Sequence, residues 1–251
     1  MAAEVRIIGL EGIPEVRPGD DLTALILQPA ADQGLSLQDG DILVVTQKVV
    51  SKAEGRIVDL ESVEPGPFAL QIAAQWEKDA RVVELVLRES ARIVRMDHGV
   101  MICETKHGLI CANAGIDSSN VEQIGTVSLL PVDPDASAGA IRRAVKERAD
   151  ADVAVIITDT FGRPWREGHL NFAIGVAGMA PLLDYTGQFD PAGYEIRVTS
   201  MAVADELAAA AELTQGKLSR TPVALVRGYD YPRGEGSARD LLRDPERDLF
   251  R

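Results

Sequence analysis

The chain has 251 residues, enough for one large domain or two interlocked small ones at the usual ~150 residues per domain. Apolar residues make up 46% and charged residues 26%, a globular balance that excludes a disordered, collagenous or coiled-coil protein. With 26 basic residues against 39 acidic ones the formal net charge is −13, so a basic footprint for nucleic acid or an anionic membrane is missing.

Taken in chain order, residues 4 to 10 read as a strand that breaks at Gly12, Pro14, Pro18 and Gly19. Asp20 or Asp21 is a candidate cap for a helix over Leu22 to Ala31. Ile42 to Val45 is a continuous strand core, and Val49 and Val50 carry the apolar character onward. Lys48, Lys52 and Arg56 follow at steps of four, which places them on one face of an extended strand or hairpin. Residues 68 to 87 predict a helix that begins with helix formers (Ala69, Leu70, Ile72, Ala73, Trp76) and runs into Val82, Val83, Leu85, Val86 and Leu87.

Residues 100 to 112 predict a hairpin turning near His107-Gly108. The polar stretch NAGIDSSNV follows as a loop. Val127 to Pro131 predicts a strand, Ser137 to Ala149 a helix, and Asp152 to Thr160 a buried strand ending in two oxygen-bearing residues. Met201 to Leu213 predicts an alanine-rich helix and Val223 to Arg227 a short strand; the charged C-terminal residues predict a surface helix or arm. The order is not a clean β-α-β alternation, so the fold class is α+β, with irregular mixed sheets and helices. No repeat or linker divides the chain, which reads as one domain over 1–251.

The two cysteines, Cys103 and Cys111, read as buried small hydrophobes in a reducing compartment. No cationic apolar leader opens the chain, and no run approaches the ~18 apolar residues of a membrane span, so a cytoplasmic protein is expected.

The chemistry is not announced by a standard motif. Neither a P-loop nor a G-x-G-x-x-G fingerprint is present, nor a G-x-S-x-G elbow. A nucleophile partnered with one of the three histidines is not indicated. Acids at strand ends remain: Asp117 among Asn113, Ser118, Ser119 and Asn120, and Asp159 with Thr160. Hard oxygen donors of this kind suit magnesium or manganese, which keep positions for water and phosphate oxygens. The same residues also serve as ordinary turn caps, and from spacing alone both readings stand. The stretch FGRPWREGHLNFAIGVAGMAP joins Arg163, Arg166 and Glu167 to Gly175 and Gly178, glycines that permit close approach of backbone to a ligand. Trp165 is placed either to stack on a ring or to pack.

The segments GLEGIPEVRPGDDL, VVTQKVVSKAEGR, ETKHGLICANAGIDSSNV, ITDTFGRPWREG, AIGVAGMAP, VADELAAAAEL and the terminal DLFR occur in the order found in one family. Nearly end to end, the chain resembles the coenzyme F420-0:gamma-glutamyl ligases, in their stand-alone form. That resemblance implies an unusual α+β fold in an intertwined homodimer. It implies GTP-dependent joining of L-glutamate to coenzyme F420-0 through an acyl phosphate, with GDP and phosphate released. The product is F420-1, with F420-2 after a second, gamma-linked addition. Mg2+ or Mn2+ is implied as the metal, with K+ as a helper, and neither nucleic acid nor membrane as a partner.

Carried over by position, the resemblance makes Asp117 and Asp159 the catalytic, metal-binding acids, joined on the metal by Thr160 and Glu212. It makes the loop Ile13, Pro14, Glu15 and Val16 nucleotide-binding, together with Gln47, Lys52, Asn120, Gln215 and Gly216. Gln47 stands where many members have serine. Lys52, Arg163 and Arg166 are the cations expected to hold the remaining anions. A metal-dependent nucleotide phosphohydrolase and a non-catalytic nucleotide-binding protein are the alternatives.

Overall fold

A computed structural model describes residues 4–117 and 125–248. The most apolar runs of the chain build its central sheet. Strands β1 (Arg6–Gly9), β2 (Ile42–Thr46), β8 (Ala154–Arg163), β9 (Arg166–Ala177) and β12 (Val223–Arg227) lie in the order β1-β12-β2-β8-β9. Only β2 and β8 run parallel; the other three pairings are antiparallel. In β2, Ile42 to Val45 are all fully buried, because both faces of the sheet are covered.

Alternation along the strands sorts the two faces. Leu43, Val45, Val155, Ile157, Val223 and Leu225 face α1 (Leu22–Asp32), α2 (Gln47–Ala53) and α5 (Pro134–Ala149). Ile42, Val44, Ala154, Ile156, Ala224 and Val226 face α6 (Val203–Gln215). Helix α6 presents Val203, Ala204, Leu207, Ala208 and Ala211, the stripe of one helical face, and its alanines let it lie close to the sheet. Asp21 caps α1 by accepting from the Ala24 amide at 3.1 Å, and Asp133 caps α5 the same way from Ala136 at 3.0 Å. Caps of this type contribute about 1 kcal/mol each.

A second layer forms between positions 57 and 128. Helices α3 (Pro67–Trp76) and α4 (Ala80–Glu89) pack on the antiparallel sheet β4 (Ser90–Asp97), β5 (Val100–Thr105) and β6 (Ile110–Ala112) through Ile72, Val83, Val86, Met101 and Cys103. Strands β3 (Ile57–Asp59) and β7 (Thr126–Ser128) pair beside it. Strands β10 (Leu183–Asp184) and β11 (Ser200–Met201) close the base of an exposed loop. Cys103 and Cys111 stand opposite one another in the β5–β6 ladder as buried, free thiols, and burial, reinforced by the nearby charge of Asp159, pushes Cys111 up to about 12. The α+β class is as the sequence predicts.

Three local expectations need correction. Residues 47–53 form a helix, not a strand or hairpin. A step of four shares a face in a helix too, so Lys48 and Lys52 stay together. Arg56 leaves them: it reaches Glu89 at 2.7 Å and the Leu130 carbonyl at 2.9 Å. Residues 68–87 are two helices, broken where Glu77 turns left-handed (φ 51°) and Asp79 starts the second by accepting from the Arg81 amide. The glycines of residues 161–181 lie in and just after a strand. A Cβ on Gly175 would sit 2.5 Å from the Pro134 carbonyl, and one on Gly178 would sit 2.6 Å from Arg142, so these glycines admit helix α5 rather than a ligand.

Candidate active site

Strands β2 and β8 run side by side until Thr46 meets Thr158. There β2 turns into α2, while β8 continues into its hairpin with β9. The parting leaves Asp159 and Thr160 as the first residues of β8 without β2 beside them. Ligand sites open at such carboxyl ends of parallel strands. Here the opening is a cleft of about 480 Å³. Its walls are the loop Ile13 to Val16, the start of α2, Thr158 to Thr160, Asn171, and the segment that runs from Glu212 to Pro222.

Most of the expected site residues meet there. Ile13, Pro14, Glu15, Val16, Gln47, Lys52, Asp159, Thr160, Glu212 and Gly216 all line the cleft. Asp117 joins it through Lys48, whose Nζ lies 2.7 Å from Asp117 Oδ2, while its backbone bridges to Ser128. Gln215 stands behind the wall, buried, donating to the Val44 carbonyl at 2.9 Å. Asn120 lies outside the described residues. Arg163 and Arg166 pair at the tip of the β8–β9 hairpin, away from the cleft wall, with Trp165 exposed between them.

The cleft is dense with opposite charges. Lys52 pairs with Glu15 and Lys48 with Asp117. Burial pushes the Asp159 carboxyl up to about 6, and the neighbouring charge of Asp117 adds to this; the Thr160 amide, Lys48 and Lys217 pull the other way. A hydrogen-bond chain crosses the floor. Lys217 Nζ donates to Thr160 Oγ1 at 2.7 Å, Thr160 Oγ1 donates to Asn171 Oδ1 at 2.7 Å, and Asn171 Nδ2 donates to Glu212 at 2.9 Å and to Gln215 at 3.3 Å. Beside it, Gln47 accepts from Ser51 Oγ at 2.8 Å, but its Nε2 and the Thr158 hydroxyl are buried donors with no protein partner.

The donors present fit a divalent cation. Asp117 and Asp159 are close enough for the charge of one to raise the other, and an ion between them relieves that repulsion. Among the described residues no three His, Cys, Asp or Glu side chains gather into a metal cage. Magnesium is held in just such a sparse way, by one or two carboxylates with water and phosphate completing its shell.

Three residues of the site escape sequence reasoning. Asn171 faces Thr160 only through the β8–β9 register. Thr158 reads as one more apolar-strand residue. Arg220 lies in a loop whose position on the cleft depends on where α6 ends and is marked only by its left-handed backbone (φ 55°), whereas Lys217 closes the AAELTQGK stretch that the family resemblance implies is nucleotide-binding.

Fold and cleft together define the class: an α+β protein with a charge-lined cleft whose described lining residues include no serine, cysteine or histidine. Residues 12–228 match the family described as F420-0:Gamma-glutamyl ligase. The coenzyme F420:L-glutamate ligase of Methanothermobacter thermautotrophicus is 46% identical over 250 residues, covering 98% of this chain and 99% of that protein. That of Methanopyrus kandleri is 46% identical over 96% of this chain and 97% of its own length. That of Methanocaldococcus jannaschii is 39% identical over 99% and 97%. The chain belongs to the F420-0:gamma-glutamyl ligase family. Among its described residues no helix is long and apolar enough to cross a membrane.

Proposed function

We propose that this chain joins L-glutamate to coenzyme F420-0 in an amide bond, using GTP, with the reaction seated in the cleft between β2 and β8. The observation that carries this reading is the meeting of Asp117, Asp159 and Lys48 with the loop Ile13 to Val16 and Lys52 around one opening.

The chemistry asks for activation, because a carboxylate is a poor acyl donor whose leaving group would be an oxide. Transfer of the GTP γ-phosphoryl group to the lactyl carboxylate of F420-0 forms an acyl phosphate and releases GDP. The glutamate amine then attacks the acyl carbon. The C–O bond to phosphate breaks with its electrons on phosphate, and the amine gives up a proton. Inorganic phosphate and F420-1 leave; repetition on the new γ-carboxyl gives F420-2. No protein nucleophile is called for, which suits a cleft lined by acids, amides and cations.

Every reactant is an anion, so the protein's work is charge compensation and orientation. Asp117 and Asp159 would hold Mg2+ or Mn2+, which supplies positive charge to the phosphate oxygens. Lys48 and Lys52 exchange their carboxylate partners for phosphate oxygens as the nucleotide enters. Gln47 Nε2 and the Thr158 hydroxyl are unspent donors in the same wall. The loop Ile13 to Val16 covers the nucleotide from the opposite lip.

We also read the working unit as a homodimer, with K+ as an activator. The loop between β10 and β11 exposes Phe189, Tyr194 and Val198, the last at 91%, apolar surface that a second copy would cover.

The test is incubation of the purified chain with F420-0, L-glutamate, GTP and Mg2+. The coenzyme is expected to gain the mass of a glutamyl residue while GTP becomes GDP. Phosphate release from GTP with no gain in coenzyme mass points to the phosphohydrolase. GTP binding indifferent to Mg2+, with no turnover, points to the non-catalytic reading.

A further inference from the structure

Arg163 and Arg166, expected to hold substrate anions, stand outside the lining of the cleft, where β8 and β9 run on as a two-stranded hairpin. That hairpin grows from the cleft floor. Asp159, Phe161 and Arg163 alternate onto one face of β8, and Phe161 stacks on Phe172 of β9 with 5.7 Å between ring centres. Arg163 pairs with Arg166, so Pro164 and Trp165 alone make the turn.

Trp165 is the odd residue of that turn. Its backbone is left-handed (φ 58°), at a position where a turn with proline before it takes glycine or asparagine as a rule. A bulky side chain is strained there, and strain of this kind persists at ligand clamps. The indole gains little burial in return, with 80% of its surface exposed. Guanidinium groups flank it. Arg166 is exposed; Arg163 is half-buried, its Nη2 donating to the Glu167 carbonyl at 2.8 Å and its buried Nε lacking a protein hydrogen-bond partner. Arg163 and Arg166 outnumber Glu167 at the tip, in a chain whose net charge is −13.

An exposed indole between two guanidinium groups is a platform for a flat ring with electron-rich oxygens at its edge. Resting on the ligase reading above, we propose that the hairpin tip of Arg163, Trp165 and Arg166 binds the deazaflavin ring of coenzyme F420-0, stacked on Trp165 with its edge oxygens toward the two arginines. Arg163 stands four residues beyond Asp159 and Trp165 six, so at ~3.3 Å per residue the tip is ~13–20 Å along the hairpin from the acid. The ribityl, phosphodiester and lactyl links that separate the ring from the reacting carboxyl span a distance of this order. The ring is thereby held outside the cleft while the carboxyl end of its tail reaches Asp159. Trp165 and Arg166 are then specificity residues for the acyl substrate and have no part in holding the nucleotide.

The experiment compares KM for F420-0 with KM for GTP in the full chain and in Trp165→Gly, Trp165→Phe and Arg166→Gln, alongside thermal melts and sedimentation. Glycine relaxes the left-handed backbone, so Trp165→Gly is expected to melt close to the wild type. Its KM for F420-0 is expected to rise about tenfold or more, the scale of one lost ring stack, while KM for GTP stays within about threefold. Trp165→Phe is expected to recover most of that loss, and Arg166→Gln to raise KM for F420-0 alone. An unchanged KM for F420-0 in Trp165→Gly, or an equal rise for both substrates, overturns the inference and leaves the ligase reading standing. A markedly lower melting temperature would mark the tip as structural, and dissociation of an oligomer would make it an interface between copies; either result also overturns the inference. If the wild type adds no glutamate to F420-0, the ligase reading falls and takes the inference with it.

Discussion

The Thr160 hydroxyl and the Asn171 amide oxygen lie 2.7 Å apart across the β8–β9 ladder, and through that contact one side chain organises the cleft floor. Asn171 is 2% exposed and uses both ends of its amide. Asn171→Ala removes the acceptor of the Thr160 hydroxyl proton and the donor to Glu212 and Gln215, while Thr160 keeps Lys217 and Gln215 keeps the Val44 carbonyl. A buried polar group left unpaired costs about 1–3 kcal/mol, and urea denaturation is expected to show a loss in that range. Ligase turnover is expected to fall with it, since Glu212 and Lys217 lose their common support. An Asn171→Ala protein as stable and as active as the wild type would show the chain of contacts to be idle.

Asp159→Asn and Asp117→Asn are each expected to lower turnover on the order of a hundredfold or more, the scale for losing one aligned charge at a reacting centre. Stability is not expected to fall in Asp159→Asn, because burial already disfavours that carboxylate. Turnover and thermal melts on the same preparations separate the two effects. Wild-type rates in both variants would remove the two acids from the mechanism.

Gly175→Ala tests whether that glycine serves the ligand or the core. Its Cβ would overlap the Pro134 carbonyl at 2.5 Å, and backbone there has no room to yield. Overpacking of this kind costs about 1–3 kcal/mol and occasionally more. A lower melting temperature with unchanged GTP affinity is the expected result; the reverse pattern would return Gly175 to the ligand site.

Asp205, in the first turn of α6, accepts from the Ala173 amide at 2.9 Å, yet burial holds its carboxyl above the usual 3.8. The folded state therefore keeps this proton more tightly than the unfolded chain does. Stability is greatest below the unfolded value and is lost as pH rises from about 3.8 through the raised folded value. Asp205→Asn has nothing to titrate, so its melting temperature is expected to gain on that of the wild type across this window. Parallel melting curves at every pH would contradict it.

What the sequence makes legible is local. Continuous apolar runs such as Ile42 to Val45 carry their strand character in composition, and Asp21 marks a helix start, whereas α5 begins at Pro134 behind its Asp133 cap, a turn before the Ser137 read from the sequence. The failures share a cause in tertiary context. Gln47–Ala53 has the β-branched pair Val49-Val50, but at the end of β2 it is packing beneath α1 that decides for helix. Gly175 resembles a ligand glycine until Pro134 of a distant helix is seen against it. At the site, the acids and the loop Ile13 to Val16 were legible through resemblance, whereas Asn171 and Arg220 were not. Their roles arise from strand register and from the end of α6, and neither is written in spacing along the chain.

The most direct test of the central claim is the mass of the coenzyme after reaction with Mg2+, GTP and isotopically labelled L-glutamate, in the wild type and in Asp159→Asn. The account predicts a labelled glutamyl addition to F420-0, matched mole for mole by GDP in the wild type and all but abolished in Asp159→Asn. Coenzyme of unchanged mass with the wild-type enzyme, or equal labelling with both proteins, would contradict it.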